Sequence, residues 1–283
     1  MSESKEMTKE PKAKPELERI HLKIKNGKLA FDVDTESKGN TYFVLGVRKS
    51  GSTMLGNIVN FLARRQGVNI VDIPGTAFRK GFVVGHWEDS DLSPIIHPGN
   101  VYTGFRNFIN GVTLSPYWPE ARKIFMFRDP RDALVSQYFS DAYSHSLPPE
   151  GAEGHKIFLE KREEARATPI DEYVMKRANG MRRTMMAYKP LLEDPTCLCL
   201  RYEEHIFMKK RMISKILKHF EWDIHPGVVE KLLEKVDIVP DQENQKSFVR
   251  KAVPGDHRVK LSPETIRRLD KRLAEVLETF DYY

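Results

Sequence analysis

The stretch Thr41-Tyr-Phe-Val-Leu-Gly-Val-Arg-Lys-Ser-Gly-Ser-Thr-Met-Leu-Gly56 decides the fold of this chain. Its first half, from Tyr42 to Val47, is apolar and uncharged, which is typical of a strand buried on both faces of a parallel sheet. After a short basic turn, apolar residues return with the spacing of one helix face. The stretch therefore predicts a strand, a loop and a helix, and the helix N-terminus favours an anion at the loop.

The loop between the predicted strand and helix supplies further groups for an anion. Lys49 offers a cation, and Ser50, Ser52 and Thr53 offer hydroxyls. A Walker A loop places its lysine directly after the last glycine, so that the next hydroxyl can hold magnesium. Here Lys49 precedes Gly51, so the loop departs from that pattern. We predict a phosphate or sulfate site, and an ordinary solvated turn is the alternative reading of this stretch alone.

Composition limits the class of protein. The chain has 283 residues, 40% of them hydrophobic and 30% charged, enough to build one large α/β domain. The net charge of +6 suits an anionic partner but discriminates little. Cys197 and Cys199 alternate along an apolar run, which predicts free thiols on one face of a strand in a reducing compartment. Without an apolar run of about 20 residues or a signal-peptide core, we expect a cytoplasmic protein with no membrane span.

The N-terminal part of the chain changes character after the first residues. Residues 1–18 are rich in Lys, Glu, Pro and Ser and lack aromatics, which predicts a disordered tail. Residues 19–283 are then a single domain. This domain opens with apolar–polar alternation around Asn26-Gly27, which predicts a β-hairpin.

Further apolar runs continue the βαβ rhythm of a parallel sheet. The run Val68–Ile73 predicts a strand ended by a Pro-Gly turn, and Gly81–Gly85 predicts another short strand. In open α/β sheets, ligands bind beyond the carboxyl ends of the strands. Asp72 can therefore face the same crevice as the Lys49 loop and is a candidate general base.

The loop after Gly85 carries a second group of titratable side chains. His86 and Glu88 are there, and we rank them behind Asp72 as candidate bases. A polar surface around a half-buried Trp87 would explain the same residues equally well.

A second candidate anion site follows a later predicted strand. Asp129 and Pro130 signal the start of a helix, so Arg128 is held at the strand tip. Ser136 lies two helical turns further on and returns to the side from which Arg128 projects. The two residues can hold an anion together, although Arg128 pairing with Asp132 and Ser136 bonding back to its own helix would be the ordinary structural explanation.

Three segments of the chain resemble the sulfotransferase family. The order Arg-Lys-Ser-Gly-Ser-Thr resembles the family's 5′-phosphosulfate loop, and Phe125-Met-Phe-Arg-Asp-Pro-Arg-Asp-Ala-Leu-Val-Ser136 resembles its 3′-phosphate segment. Phe248-Val-Arg-Lys-Ala-Val-Pro-Gly-Asp-His257 resembles its Arg-Lys-Gly…Gly-Asp-Trp loop, with Ala252 and His257 in place of the usual Gly and Trp. The resemblance implies a single α/β domain, P-loop-like, with a central parallel sheet flanked by helices.

The resemblance also implies a donor and roles for matching residues. The donor would be 3′-phosphoadenosine 5′-phosphosulfate (PAPS), and no metal is implied. Lys49 would stabilise the leaving phosphate while a sulfuryl group moves to a hydroxyl, or less readily an amine, of a small molecule or glycan. Tyr202 would lie near the adenine. The implied cofactor-binding residues are Arg48, Lys49, Ser50, Gly51, Ser52, Thr53, Met54, Arg128, Ser136, Tyr202, Arg250 and Lys251.

The general base and the acceptor stay open at this stage. Some members of the family use a histidine before the 3′-phosphate strand, where this chain offers Arg106, which stays protonated and is a poor base. Other members use a carboxylate soon after the first helix, which suits Asp72. Residues 142–188, predicted to be largely helical, would form a lid over the acceptor pocket, since loops and lids carry specificity.

Two other functions are consistent with parts of the sequence. A magnesium-dependent P-loop kinase is favoured by the strand–loop–helix start, but the position of Lys49 and the Arg128-Asp129 pair oppose it. A non-catalytic binder of anions or polyanions would use the same basic loops. The lack of basic patches interleaved with aromatics weighs against nucleic acid.

Overall fold

An antiparallel hairpin opens the part of the chain that this computed structural model describes, which is residues 16–237, 244 and 253–283. Strands β1 (Glu18–Ile24) and β2 (Gly27–Val33) pair along their whole length. The predicted hairpin is therefore confirmed. Glu18, which composition assigned to the tail, is already the first residue of β1. The rest of the predicted tail, residues 1–15, lies outside the described residues.

Five parallel strands form the central sheet. They are β3 (Tyr42–Gly46), β4 (Asn69–Asp72), β5 (Asn100–Thr103), β6 (Arg122–Phe127) and β7 (Cys197–Arg201). Their order across the sheet is β4-β5-β3-β6-β7. The chain leaves β3 toward one edge and later crosses to β6 on the other side, so β3 and its following loop lie where the winding reverses. This is the position at which open α/β sheets form a ligand crevice.

Ten helices accompany the sheet in the described chain. They are α1 (Ser52–Gln66), α2 (Ile73–Arg79), α3 (Pro130–Phe139), α4 (Glu153–Ala167), α5 (Ile170–Ala187), α6 (Tyr202–His205), α7 (Lys209–Phe220), α8 (Pro226–Val236), α9 (His257–Lys260) and α10 (Pro263–Thr279). None of these helices combines the length and the hydropathy that crossing a membrane requires.

Alternate residues of each strand face different helix layers. Phe43 and Leu45 of β3 join the core formed with α3, α5 and α10, whereas Tyr42 and Val44 join the core formed with α1, α7 and α8. All four side chains are buried. The strand is therefore covered on both faces, as its uninterrupted apolar sequence predicted.

The hairpin is fixed to the edge of the sheet by two asparagines. Asn69 of β4 donates from Nδ2 to the carbonyl of Asp32 at 3.0 Å and to Oδ1 of Asn100 at 2.7 Å. Asn100 is fully buried in β5, donates from Nδ2 to the carbonyl of Asp34 at 2.8 Å, and accepts the N–H of Asp34 at 3.0 Å. Strand β2 is thereby held beside β4.

One local prediction needs correction. Gly81–Gly85 is not a strand: it is a loop that runs into a short 3₁₀ turn, Val84–His86. Strand β5 lies beside β4 instead. The two strands pair in parallel, from Asn69 of β4 with Asn100 of β5 to Asp72 of β4 with Thr103 of β5. Only four residues long and ended by glycine, β5 gives little periodicity by which to recognise it.

The segment predicted as a lid divides into two parts. Helix α5 packs against α3 and α10 and buries Tyr173, Val174 and Ala178, so it belongs to the core layer of the domain. Helix α4 is mostly exposed but turns Ile157 and Phe158 toward the cleft described below. Within the segment predicted as a lid, residues 142–188, only α4 and the turn before it line the cleft.

Candidate active site

The loop after β3 folds into a tight anion cradle. Lys49 has φ 65° and Gly51 has φ 84°, so the backbone turns twice through the left-handed region. The Ser50 hydroxyl donates inward to the carbonyls of Val47 at 2.7 Å and Met126 at 3.0 Å. It closes the loop onto β6 and is fully buried, so its predicted role toward a ligand through this hydroxyl does not fit the geometry.

Helix α1 begins immediately after this loop without a side-chain cap. The N–H groups of Ser52, Thr53 and Met54 lie in its first turn, where the helix itself offers no acceptor. Together with the positive end of the helix dipole, they favour an anion in the loop. Gly51 is required here for a second reason, because a Cβ would lie 3.0 Å from the ring of Tyr202.

Arg128 lies at the tip of β6, where the sequence placed it. Its Nη1 donates to the carbonyl of Lys49 at 3.4 Å, and its guanidinium stacks over the ring of Tyr202 with 4.4 Å to the centroid. Nη2 donates to Asp132 at 3.3 Å and to the carbonyl of Val253 at 3.3 Å. The expected Arg128–Asp132 pair is therefore present, but within the described chain the buried Nε has no hydrogen-bond partner. A donor remains available for a ligand.

A cleft of about 880 Å³ opens above these elements. Every predicted cofactor-binding residue in the described chain lines it except Ser50. These are Arg48, Lys49, Gly51, Ser52, Thr53, Met54, Arg128, Ser136 and Tyr202. Arg250 and Lys251 lie outside the described residues. The two predicted anion positions therefore share one cleft.

Lys49 is surrounded by positive charge. Burial lowers the pKa of Lys49 to about 8, and repulsion from Arg48, Arg106 and Arg128 acts in the same direction, whereas Asp141 opposes it. A bound phosphate or sulfate would reverse this shift, because it favours the ammonium form. The loop thus carries an excess of positive charge, which an anion would neutralise.

Arg106 extends this cationic wall on the other side of the loop. It follows β5 and donates from Nη2 to Oγ1 of Thr53 at 2.8 Å and from Nη1 to the carbonyl of Gly104 at 3.4 Å. Rejected as a base because guanidinium does not lose its proton, Arg106 instead adds a fixed charge at the start of α1.

The carboxylate of Asp72 binds groups of the helix that follows it. Oδ1 accepts the N–H of Gly75 at 2.9 Å and caps α2, and Oδ2 pairs with Arg79 at 3.2 Å. Asp72 does not line the cleft, although its neighbours Pro74 and Gly75 do. The geometry gives no support to Asp72 as the base; the assignment stays a sequence prediction.

His86 and Glu88 differ in position. The Nδ1 of His86 accepts the N–H of Val83 at 3.3 Å, so Nε2 carries the proton. Nε2 lies 3.4 Å from Oε2 of Glu153. His86 is buried behind the wall and does not line the cleft. Glu88 does line it, with an exposed side chain. Of the three ranked candidates, only Glu88 reaches the cavity.

The wall of the cleft that faces the loop after β3 is formed by residues that were not among the site residues predicted from the sequence. His145, in the turn after α3, lies between Phe78 and Phe158, with ring centroids 6.2 and 4.9 Å away. Lys161 lies 5.3 Å from the centre of the Phe158 ring. The one available signal was the spacing of Ile157, Phe158 and Lys161 on one face of α4; nothing in the sequence around His145 marks it.

The fold and the cleft define an α/β protein whose cationic groups gather at two points, beyond the carboxyl ends of β3 and β6. Residues 113–281 match the sulfotransferase domain family. Because this match spans more than half of the chain, the protein belongs to that family. A sequence search of curated proteins gives no match.

Solved structures of similar shape include two complexes with 3′-phosphoadenosine 5′-phosphate (PAP). The mouse sulfotransferase SULT7A1 complexed with PAP is 16% identical, with a TM-score of 0.56 over 88% of this chain and 87% of that chain. Retinol dehydratase in complex with androsterone and inactive cofactor PAP is 16% identical, with a TM-score of 0.48 over 92% and 90%. The likeness to SULT7A1 confirms the fold.

Proposed function

We propose that the protein is a sulfotransferase that moves a sulfuryl group from PAPS to the hydroxyl of a small acceptor. The observation that carries this proposal is the contact between Arg128 and the carbonyl of Lys49, 3.4 Å apart. It joins the loop at α1 to the tip of β6, so that one ligand can reach both. Membership of the family and the PAP in the complex of SULT7A1 support this donor.

The residues present fit a nucleotide that carries two separate anionic groups. The first-turn N–H groups of α1 and the ammonium of Lys49 suit one group. The Nε of Arg128, which has no partner among the described residues, and the hydroxyl of Ser136 suit the other. The ring of Tyr202 packs between Gly51 and Arg128 and so joins the loop after β3 to the tip of β6.

When bound, PAPS supplies a sulfuryl group already activated on a phosphate leaving group. Lys49 stabilises the charge that develops on the bridging oxygen, because its ammonium is held in a partly dry cleft where electrostatic stabilisation is strong. Ser52 and Thr53 donate to the same group, and Arg106 orients Thr53. The contribution of the chain is mainly positioning and charge stabilisation.

The remaining half of the cleft is suited to the acceptor. Five aromatic side chains line this half: Phe78, Phe82, Trp87, Phe105 and Phe158. Such a lining favours a small, largely apolar hydroxyl compound, whose orientation a few polar groups then fix.

The experiment is a screen of phenols, sterols and saccharides with PAPS carrying radioactive sulfur. The wild type and Lys156→Ala, an exposed position on α4 outside the cleft, should give labelled product, whereas Lys49→Ala should lose about a hundredfold or more in turnover. Equal turnover of Lys49→Ala and wild type would refute the mechanism.

Binding measurements separate the other two functions. In a PAPS-dependent sulfotransferase, PAP should raise the melting temperature more than ATP with magnesium does. Stabilisation by ATP with magnesium but not by PAP would favour the kinase. Salt-dependent polyanion binding without any transfer would favour a non-catalytic binder.

A further inference from the structure

His145 is held rigidly at the edge of the cleft. It follows the π-helical turn Ser140–Ser144 that ends α3, and its N–H donates to the carbonyl of Ser140 at 2.8 Å. Its own carbonyl accepts from Arg162 of α4. The backbone of His145 is therefore tied to two elements that line the cleft, which fixes where its ring can lie.

The hydrogen bonds of the ring determine its tautomer. Nδ1 lies 2.7 Å from the carbonyl oxygen of Ser146. Because a carbonyl oxygen only accepts, Nδ1 must donate its proton there. In the neutral ring, Nε2 then carries a lone pair, and no described residue donates a hydrogen bond to it. The ring thus presents a proton acceptor with a fixed orientation.

The surroundings of His145 keep the ring neutral. It is half-buried against Phe78 and Phe158. The charged groups that face it are Arg48 and Lys49 from the loop after β3, Asp141 from the π turn, and Lys161 and Arg162 from α4. Burial lowers the pKa of His145 below its ordinary value, the hydrogen bond to Ser146 opposes this, and Arg48 and Lys49 lower it further.

We propose that Nε2 of His145 is the general base that accepts the proton of the acceptor hydroxyl. This inference rests on the proposed function. As the acceptor oxygen bonds to sulfur, its proton passes to Nε2, and the bond from sulfur to the bridging oxygen breaks. The electron pair of that bond stays on the leaving phosphate, beside the ammonium of Lys49. The imidazolium afterwards releases its proton to solvent, so that the step is balanced without an additional reactant.

Position distinguishes His145 from the bases considered earlier. His145 and Lys49 line the same cleft, whereas Asp72 caps α2 and His86 lies behind the wall. Glu88 also reaches the cavity, but its exposed carboxylate lacks the fixed orientation that His145 has. It is therefore the comparison residue in the test.

The test is the dependence of kcat/KM on pH for the wild type, His145→Gln and His155→Gln. His155 is a matched control, because its Nδ1 also binds a carbonyl, that of Pro148 at 2.8 Å, but the residue does not line the cleft. The wild type and His155→Gln should lose activity as the pH falls through a pKa below about 6.5, since protonated imidazole cannot accept a proton. His145→Gln should lose about a hundredfold or more in kcat and show no such acid limb.

Two further measurements separate chemistry from structure. His145→Gln should bind PAP as the wild type does, and imidazole added to His145→Ala should restore part of its turnover. Retention of the acid limb and wild-type turnover by His145→Gln overturns the inference, and so does loss of the limb in Glu88→Gln. Absence of PAP binding and of transfer in the wild type would instead refute the proposed function.

Discussion

Asp132 of α3 holds His257 by two hydrogen bonds that span 125 residues of the chain. Oδ1 accepts from Nδ1 of His257 at 2.7 Å and from its backbone N–H at 2.9 Å. Oδ2 accepts the N–H of Gly255 at 2.6 Å and faces Nη2 of Arg128. One buried carboxylate thus fixes Gly255 and His257 beside Arg128 at the tip of β6. The histidine that replaces the family's usual tryptophan has a structural partner.

We expect Asp132→Asn to lower the free energy of unfolding by about 3 kcal/mol, because it leaves the buried charge of Arg128 without its counter-ion. Denaturation by urea measures this. Glu275→Gln is the control: it removes an exposed pair with Arg182 and should change stability by less than about 0.5 kcal/mol. A loss below about 1 kcal/mol for Asp132→Asn would show that other contacts hold Gly255 and His257 in place.

Acid stability should depend on the same carboxylate. Burial opposes ionisation of Asp132, but the hydrogen bond from His257 and the charge of Arg128 outweigh it, so the pKa of Asp132 lies well below its usual range. A lowered pKa contributes stability above the unfolded value of about 3.9, and this stability is lost as the pH falls further. The difference in unfolding free energy between wild type and Asp132→Asn should therefore shrink below about pH 4. A difference that stays constant from pH 7 to pH 3 would contradict this.

The affinity for PAP should fall as the pH rises past about 8. In the free protein the pKa of Lys49 is about 8, chiefly because of burial, and a bound phosphate would raise it. Over this range the phosphates of PAP are already dianionic, so their own titration does not interfere. Calorimetry should detect uptake of a proton on binding near pH 8, and the dissociation constant should rise up to tenfold for each pH unit above it.

Lys49→Arg is the matched control for that prediction, since guanidinium stays charged throughout. It should bind PAP with little dependence on pH between 7 and 9.5 and without proton uptake. Were the variant to show the same uptake as the wild type, the titrating group would have to be another residue of the cleft.

Gly51→Ala should destabilise the protein more than Gly151→Ala does. Both glycines have a positive φ, 84° and 80°, so alanine costs about 1–2 kcal/mol of strain at either position. Only at Gly51 would the Cβ also meet Tyr202, at 3.0 Å, whereas it meets nothing within 4 Å at Gly151. Thermal unfolding and PAP titration of both variants give the comparison. Equal losses of stability would mean that Tyr202 moves aside without cost.

Local sequence predicted which residues form the cationic part of the cleft, because these residues follow directly from strand ends. Lys49 comes after β3 and Arg128 after β6, and neighbouring parallel strands bring their carboxyl ends together. The free thiols of β7 were predictable for a similar reason: alternation puts Cys197 and Cys199 on one face, with their Sγ atoms 4.0 Å apart.

The proposed proton acceptor, His145, could not be predicted in this way. Asp72 ends a strand at the expected level of the sheet, but a Pro-Gly pair follows it, and the carboxylate caps the helix that begins there. His145 reaches the cleft only because α4 folds back over the turn after α3, and no local pattern records that packing. The position of His145 depends on the tertiary contact between α4 and this turn, and not on the spacing of residues along the chain.

The hydrogen bonds of Asn69 and Asn100 join the hairpin to the sheet, and they limit how far the chain can be shortened at its N-terminal side. Strand β4 is an edge of the five-stranded sheet, and β2 covers it through Asn69 and Asn100. A chain trimmed to begin at Thr41 would uncover that edge, which exposes backbone groups able to pair with another copy. It would also lose Leu29, Phe31 and Val33 from the core. Such a chain should self-associate on expression, so the hairpin protects the solubility of the domain.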